Sequence, residues 1–247
     1  MRRPNLRTLV HTRLGLLLFA LLSLAACSDD GQYWDRSNTE AVYWHGPRDR
    51  MAIALTFDDG PSDFTEELLD VLDKHNVKAT FFVVGKYVAQ LPEVLRETVR
   101  RGHVIGNHTY EHGDLSGESR HYVFREIEKT EETILDATGL RTALFRPPYG
   151  KLSTKLVGEV YKRGYTTIRW SNSGKDWSTN SDHAIAIKII DETRPGAIIL
   201  LHDGNGESPS SRAHTLRAVR LIVPTLKVFG FEFLTVPELL RINAYKD

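Results

Sequence analysis

The chain of 247 residues has one cysteine, two methionines and no surplus of either charge, since 32 Lys and Arg balance 32 Asp and Glu. A single cysteine excludes an internal disulfide framework and any cysteine-built metal cluster. Balanced charge without a basic stripe excludes the electrostatic footprint of a nucleic-acid binder. No apolar run reaches the roughly 20 residues that a bilayer-spanning helix needs. The chain also lacks a Gly-rich phosphate fingerprint, an internal repeat and a low-complexity segment. What remains is a length suited to one α/β domain with a sizeable core.

The first 26 residues stand apart. Arg2, Arg3, Arg7 and Arg13 make a basic start, the run Leu14 to Leu22 is apolar, and small residues follow. That order describes a secretory signal. Leu24-Ala25-Ala26-Cys27 resembles the lipobox of bacterial lipoproteins, whose cysteine is acylated and becomes the new N-terminus. The resemblance implies export and a membrane anchor through Cys27, because acyl chains hold a protein by burying methylenes in the bilayer. Ser28 in the next position resembles outer-membrane sorting in Gram-negative cells, facing the periplasm. An ordinary signal followed by an incidental cysteine is the alternative. Without residues 1–26 the chain keeps 28 basic and 32 acidic residues, a net charge of −4. Residues 28–45 are polar and aperiodic, so 27–45 reads as a lipid-anchored tether leading into a domain over 46–247.

Within that domain short apolar runs alternate with longer amphipathic ones. Strands are expected at Met51–Thr56, Thr80–Val84, His103–Gly106, Ala143–Arg146, Thr166–Trp170, Ala197–Leu201 and Phe231–Thr235. Helices are expected at Thr65–His75, Leu91–Arg101, Tyr122–Thr138, Thr154–Arg163, Asp182–Asp191, Ala213–Phe229 and Val236–Ile242. Strands separated by helices pair in parallel through right-handed crossovers. About seven such units predict a distorted parallel β/α barrel. Barrel enzymes carry their chemistry on loops at the C-terminal ends of the strands.

Four segments with chemical potential fall at such ends. The first strand leads into Thr56-Phe57-Asp58-Asp59-Gly60-Pro61, where one carboxylate can bind a cation while its neighbour faces elsewhere. Asp59 as the cap of the next helix is the plainer alternative. The third strand leads into His108-Thr109-Tyr110-Glu111-His112, and histidines at i and i+4 share one face of a helical turn. With Asp59 they make a His-His-carboxylate set that leaves coordination positions open. The fourth strand gives Phe145-Arg146-Pro147-Pro148-Tyr149-Gly150, whose double proline fixes the direction of the Tyr149 N–H. The sixth ends in Leu201-His202-Asp203-Gly204, with an imidazole placed to move a proton near neutrality.

In order and approximate spacing these four segments resemble the polysaccharide deacetylase (NodB-homology) family over roughly residues 50–242. The resemblance implies Asp58 as general base, Asp59, His108 and His112 as ligands of one divalent metal, and Arg146 as the residue orienting the base. It further implies the Tyr149 N–H as donor to the oxyanion, His202 as general acid, and Leu201 as lining of the acetyl pocket. Trp170-Ser171-Asn172-Ser173-Gly174-Lys175-Asp176-Trp177 resembles the family's Asp-x-x-Asp-Trp stretch, with Ser173 where its first aspartate is expected. The resemblance assigns that aspartate to tuning the acid histidine, which leaves Asp176 or a water as substitute. Trp177 is expected as a wall of the sugar groove, and Asp176, Trp177, Tyr149 and Leu201 are grouped as substrate contacts. His45, His75, His103, His121, His183 and His214 match no segment and read as solvated or structural.

The activity so implied is metal-assisted hydrolysis of N-acetyl groups on N-acetylglucosamine-containing polysaccharide, with peptidoglycan, chitin-like oligomers and exopolysaccharide as substrate classes. Zinc suits two imidazoles and a carboxylate, and cobalt, manganese or nickel fit the same donors. Three further readings stay open: an O-acetyl esterase, a cyclic-amide hydrolase, and a non-catalytic carbohydrate-binding lipoprotein. Neither nucleic acid nor a protein partner is expected.

Overall fold

The computed structural model describes Thr39, residues 41–204 and residues 212–247. The expected signal, Cys27 and most of the tether lie outside the described residues. The seven expected strands are all present: β2 Ala52–Asp58, β3 Thr80–Val83, β4 Val104–Asn107, β5 Leu144–Phe145, β6 Thr166–Ile168, β8 Ile198–His202 and β9 Glu232–Leu234. Two short strands were not expected, β1 Val42–Tyr43 in the lead-in segment and β7 Asn172–Ser173. Two residues give too little pattern to read from sequence.

Every pair of named strands runs parallel, in the order β1-β6-β5-β4-β3-β2-β8-β7, with β9 beside the start of β2. The chain running on from β6 into β7 pairs first with β5 and then with β8. The Ser171 N–H also donates to the Ile198 carbonyl, so the path curls back on itself. The sheet is thus a distorted parallel β/α barrel, as expected.

Helices cover the outside: α1 Thr65–Lys74, α2 Gly85–Gln90, α3 Pro92–Arg100, α4 Arg120–Thr138, α5 Thr154–Lys162, α6 Asp182–Glu192, α7 Ala213–Val228 and α8 Val236–Leu240. Their ends follow from local chemistry. Ser119, Ser153 and Ser181 accept backbone N–H bonds at the starts of α4, α5 and α6, and Gly139 closes α4 in the left-handed region. Among the described residues no helix is long and apolar enough to cross a membrane.

Strand alternation then decides which side chains meet. All seven residues of β2 are buried, as a central parallel strand covered on both faces requires. Ile53, Leu55 and Phe57 join the large cluster that also holds Leu68, Leu72, Ile199 and Leu201 beneath the helices. Ala52 and Ala54 face the other way, with Phe82, Leu144, Ile168 and Ile198 inside the barrel. By the same alternation Thr56 and Asp58 point inward, at the mouth.

Candidate active site

The mouth is built at the ends of β2, β4, β5 and β8. Asp58 closes β2 and stays on the interior face. Asp59 adopts a left-handed backbone (φ 74°), which turns its carboxylate away from that of its neighbour. Gly204 allows this turn to sit closely, because a Cβ there would lie 1.9 Å from the Asp59 carbonyl oxygen. Asp59 does not cap α1, whose first residue follows Phe64 without a side-chain cap.

The histidine segment corrects the expected geometry. Residues 108–112 form no helical turn; β4 ends at Asn107 and the chain loops, with Thr109 and His112 both left-handed (φ 68° and 64°). Side chains and a carboxylate hold this loop. Asn107 Oδ1 accepts from the Thr109 N–H, and Thr109 Oγ1 accepts from the His112 N–H. Glu126 Oε2, buried on α4, accepts from the N–H groups of both Tyr110 and Glu111. The imidazoles converge although the helix spacing that suggested it is not used.

Asp59, His108 and His112 are buried, and one ligand atom from each lies within 4.8 Å of the others. Asp59 Oδ1 stands 3.0 Å from His112 Nε2 and 3.5 Å from His108 Nε2, yet it takes no hydrogen bond. A buried carboxylate oxygen left unfilled between two imidazole nitrogens is what a cation would satisfy. His108 Nδ1 donates to the Arg146 carbonyl at 2.7 Å, which leaves its Nε2 as the lone-pair nitrogen. The three residues therefore fit one divalent metal. Burial disfavours the Asp59 charge, but His108, His112 and His202 outweigh it and hold the carboxyl well below its usual range.

Two carboxylates flank this group in different company. Arg146, fully buried, donates from Nη1 to Asp58 Oδ1 at 2.7 Å and to Thr56 Oγ1 at 2.8 Å. Its other nitrogens reach the carbonyls of Ile168 and Arg169, and Phe82 lies 4.0 Å beneath its face. Asp58 Oδ2 is left facing the metal group, 3.7 Å from His108 Nε2.

On the opposite side the structure resolves the Ser173 departure and corrects the placing of Asp176. Asp176 is fully buried and touches no groove. Its Oδ1 lies 2.8 Å from His202 Nδ1, while Oδ2 accepts from the His202 N–H (2.9 Å) and from Thr215 Oγ1 (2.8 Å). The aspartate beside Trp177 is thus the partner of the histidine. Ser173 instead accepts from the Lys175 N–H. Burial disfavours an imidazolium, yet the Asp176 charge and hydrogen bond, helped by Asp59 and Asp58, push His202 up to about 9.

Leu201 is also corrected. It is fully buried in the cluster beneath α6 with Ile185 and Ile189, because residues adjacent in a strand face opposite ways. Leu200 shares the face of His202. Tyr149 and Trp177 are exposed aromatics at the mouth, 53% and 45% accessible. The Tyr149 ring meets His112 edge-on at 5.0 Å and that of Trp177 meets His202 at 5.2 Å. Tyr149 is left-handed (φ 56°) within the turn Pro148–Gly150, which the Gly150 and Lys151 N–H groups close onto Pro147 and Pro148.

Sequence reading missed Glu126, Arg212 and Thr215, and gave His214 only as solvated or structural. Arg212 donates to the Gly204 carbonyl and His214 Nε2 to the Asp176 carbonyl, bracing the acid side from the start of α7. For Arg212, His214 and Thr215 the available signal was a polar cluster at the start of an otherwise apolar helix.

Comparison with known proteins agrees with this geometry. The family model described as polysaccharide deacetylase matches residues 45–168. A chitooligosaccharide deacetylase from Bradyrhizobium sp. is 38% identical, the match covering 84% of this chain and 94% of that protein. A peptidoglycan-N-acetylglucosamine deacetylase from Bacillus cereus is 34% identical over 82% of this chain and 73% of that one. Among solved structures, a peptidoglycan N-acetylglucosamine deacetylase in complex with a naphthyl N-hydroxybenzamide superposes with a TM-score of 0.80, at 33% identity over 84% of this chain and 96% of that chain. Family model, relatives, fold and the arrangement at the mouth agree, and the chain belongs to the polysaccharide deacetylase family.

Proposed function

We propose that the protein removes N-acetyl groups from N-acetylglucosamine-containing polysaccharide, releasing acetate, with one divalent metal held by Asp59, His108 and His112. The observation that carries the reading is a buried metal-ligand group lying between a held proton acceptor and a held proton donor. A metal bound there would supply Lewis acidity toward the acetyl carbonyl and the attacking water. Zinc suits the donor set best.

The side chains account for the proton movements. Arg146 engages Asp58 through Oδ1, which leaves Oδ2 to take the proton of the attacking water. As the tetrahedral centre forms, the Tyr149 N–H is the backbone donor for its oxygen. His202, held charged by Asp176, gives its proton to the departing amine nitrogen. An amine leaves poorly without that proton, whereas an alkoxide of an acetyl ester needs it less. The Asp176–His202 pair therefore favours amide over ester cleavage, and the intact acceptor and donor argue against a pure binding module. Tyr149 and Trp177 offer exposed rings for sugar faces on either side.

The test is acetate release by the purified protein from peptidoglycan, chitin oligomers and an acetylated xylan, with and without chelator. Release from the amino-sugar polymers, lost on chelation and restored by zinc, is expected. Release from xylan alone would refute the amide reading. We further propose that acylated Cys27 anchors the protein at the cell envelope, which the lipobox-like sequence supports. Cys27→Ser should move the protein from the detergent phase to the aqueous phase; unchanged partition would refute the anchor.

A further inference from the structure

Among the described residues, Arg169 is a buried cation that the mechanism leaves unused. Arg169 follows β6, its N–H donating to the carbonyl of Tyr43 in β1 and its carbonyl accepting from Arg146. Alternation along β6 sends its side chain outward from the barrel, to the rim behind the turn that carries Tyr149. There Nη1 lies 2.5 Å from where a Cβ on Gly150 would stand, so the glycine leaves room for the guanidinium beneath the turn. The Trp44 ring lies 5.2 Å from the guanidinium carbon.

Arg169 is only 8% exposed, yet among the described residues it makes neither an ion pair nor a side-chain hydrogen bond. Arg146, buried still deeper, has Asp58. Burial, with the charge of Arg146 nearby, lowers the pKa of Arg169 to about 10. A buried charge without a partner is costly, and chains rarely keep one. Of its side-chain nitrogens only Nε is sealed from solvent without a partner. The two terminal nitrogens, which donate to nothing described, therefore open to solvent. Those are the atoms a guanidinium presents to a carboxylate in paired fashion.

We infer that Arg169, backed by Trp44 and roofed by Gly150, is an anion subsite that takes a carboxylate on the sugar adjoining the one deacetylated. This rests on the deacetylase reading and narrows its substrate class. A polymer whose acetyl group reaches the metal group passes Tyr149, and its next unit lies over the rim where Arg169 waits. Neutral chitin-like chains leave the guanidinium unpaired. A glycan bearing carboxylates on the neighbouring sugar, or at the ends of attached peptides, satisfies it.

The experiment compares three substrates with the full-length protein and with Arg169→Gln and Arg169→Lys: a neutral N-acetylglucosamine oligomer, glycan strands with free lactyl-ether carboxylates, and the same strands carrying peptides. Wild type should prefer a carboxylated strand. Arg169→Gln should reduce the ratio of kcat/KM, carboxylated over neutral, by about 10- to 100-fold, mainly through KM. Arg169→Lys should restore part of it, since it keeps charge without the planar fork. Whichever carboxylated strand shows the larger loss identifies the source of the anion. Calorimetric affinities of wild type and Arg169→Gln for each strand give a readout independent of turnover. An unchanged ratio, or equal affinities, overturns the subsite even where acetate is released. Absence of acetate release from every polymer overturns the deacetylase reading instead, and a salt-sensitive affinity lost in Arg169→Gln would still uphold the subsite.

Discussion

Two histidines of this protein, one buried and one half-buried, are driven in opposite directions. His103 sits where the chain enters β4, far along the strand from the mouth, with its Nδ1 accepting from the Ala79 N–H at 3.1 Å and its ring edge-on to Phe81. Burial, with Lys78 close by, pushes its pKa down to about 4. His202 is half-buried at the mouth and pushed up to about 9, because Asp176, helped by Asp59 and Asp58, reverses the burial effect. One imidazole is kept as an acceptor in the wall and the other is kept as a donor at the site. The difference lies in carboxylates, above all Asp176, braced by Thr215 and by the backbone of the histidine itself, with Asp59 and Asp58 adding to it. At His103 burial keeps the ring neutral, and at His202 carboxylates are placed against that tendency.

The strongest way to probe the donor side is to remove what it works against. Asp58→Asn keeps the Arg146 bond and the side-chain volume but removes the proton acceptor. Turnover should fall about 1,000-fold or more, while metal content by atomic absorption stays at the wild-type level. Loss of metal together with activity would place Asp58 among the ligands. Asp176→Asn breaks the comparison directly, by making the surroundings of His202 like those of His103. A fall of about 100-fold in kcat is expected, and the basic limb of the pH profile should move below 9. His202 must be protonated to act, so a lower pKa empties the donor at lower pH. A basic limb that stays put would assign it to another group.

The same contrast shows what was legible in the sequence. Asp59, His108 and His112 were legible because their order along strand ends is preserved in the chain, even though their loop is not a helical turn. Asp58, Arg146 and His202 were legible for the same reason. Leu201 misled because a one-residue shift in a strand reverses the face. Asp176 misled because a fully buried carboxylate one residue from an exposed tryptophan reads as a groove residue. Glu126 was out of reach: it acts across at least 15 residues of chain through contacts that only folding creates. The seven strands showed themselves as apolar runs, while β1 and β7, two residues each, had no pattern to show.

Between the two histidines in expected effect stands the loop that carries the ligands. Glu126 touches neither metal site nor groove, but it fastens two consecutive N–H groups between His108 and His112. Glu126→Ala should weaken zinc affinity, read by competition with a chromogenic chelator, about 10-fold or more. Glu126→Gln keeps a carbonyl acceptor and should recover part of that loss. If both variants bind zinc like wild type while their unfolding midpoints fall, Glu126 serves stability only.

The smallest expected effect sharpens the comparison through stability. Unfolded histidine takes a proton near pH 6.5, whereas folded His103 resists until about 4. Between those values the unfolded chain binds more protons, so stability falls as pH falls. From pH 7 to pH 5 the loss due to this group is about 2 kcal/mol. His202 has the opposite sign: its raised pKa adds stability that is complete below 6.5 and disappears as pH rises through about 9. His103→Asn removes the ionisation while offering an oxygen to the Ala79 N–H. Urea unfolding at pH 7 and pH 5 should then show a smaller acid-side drop in the variant than in wild type, whatever the variant costs at neutrality. Equal drops would mean that His103 is already solvated when folded, and that burial in the wall does not oppose the imidazolium as it does at the mouth.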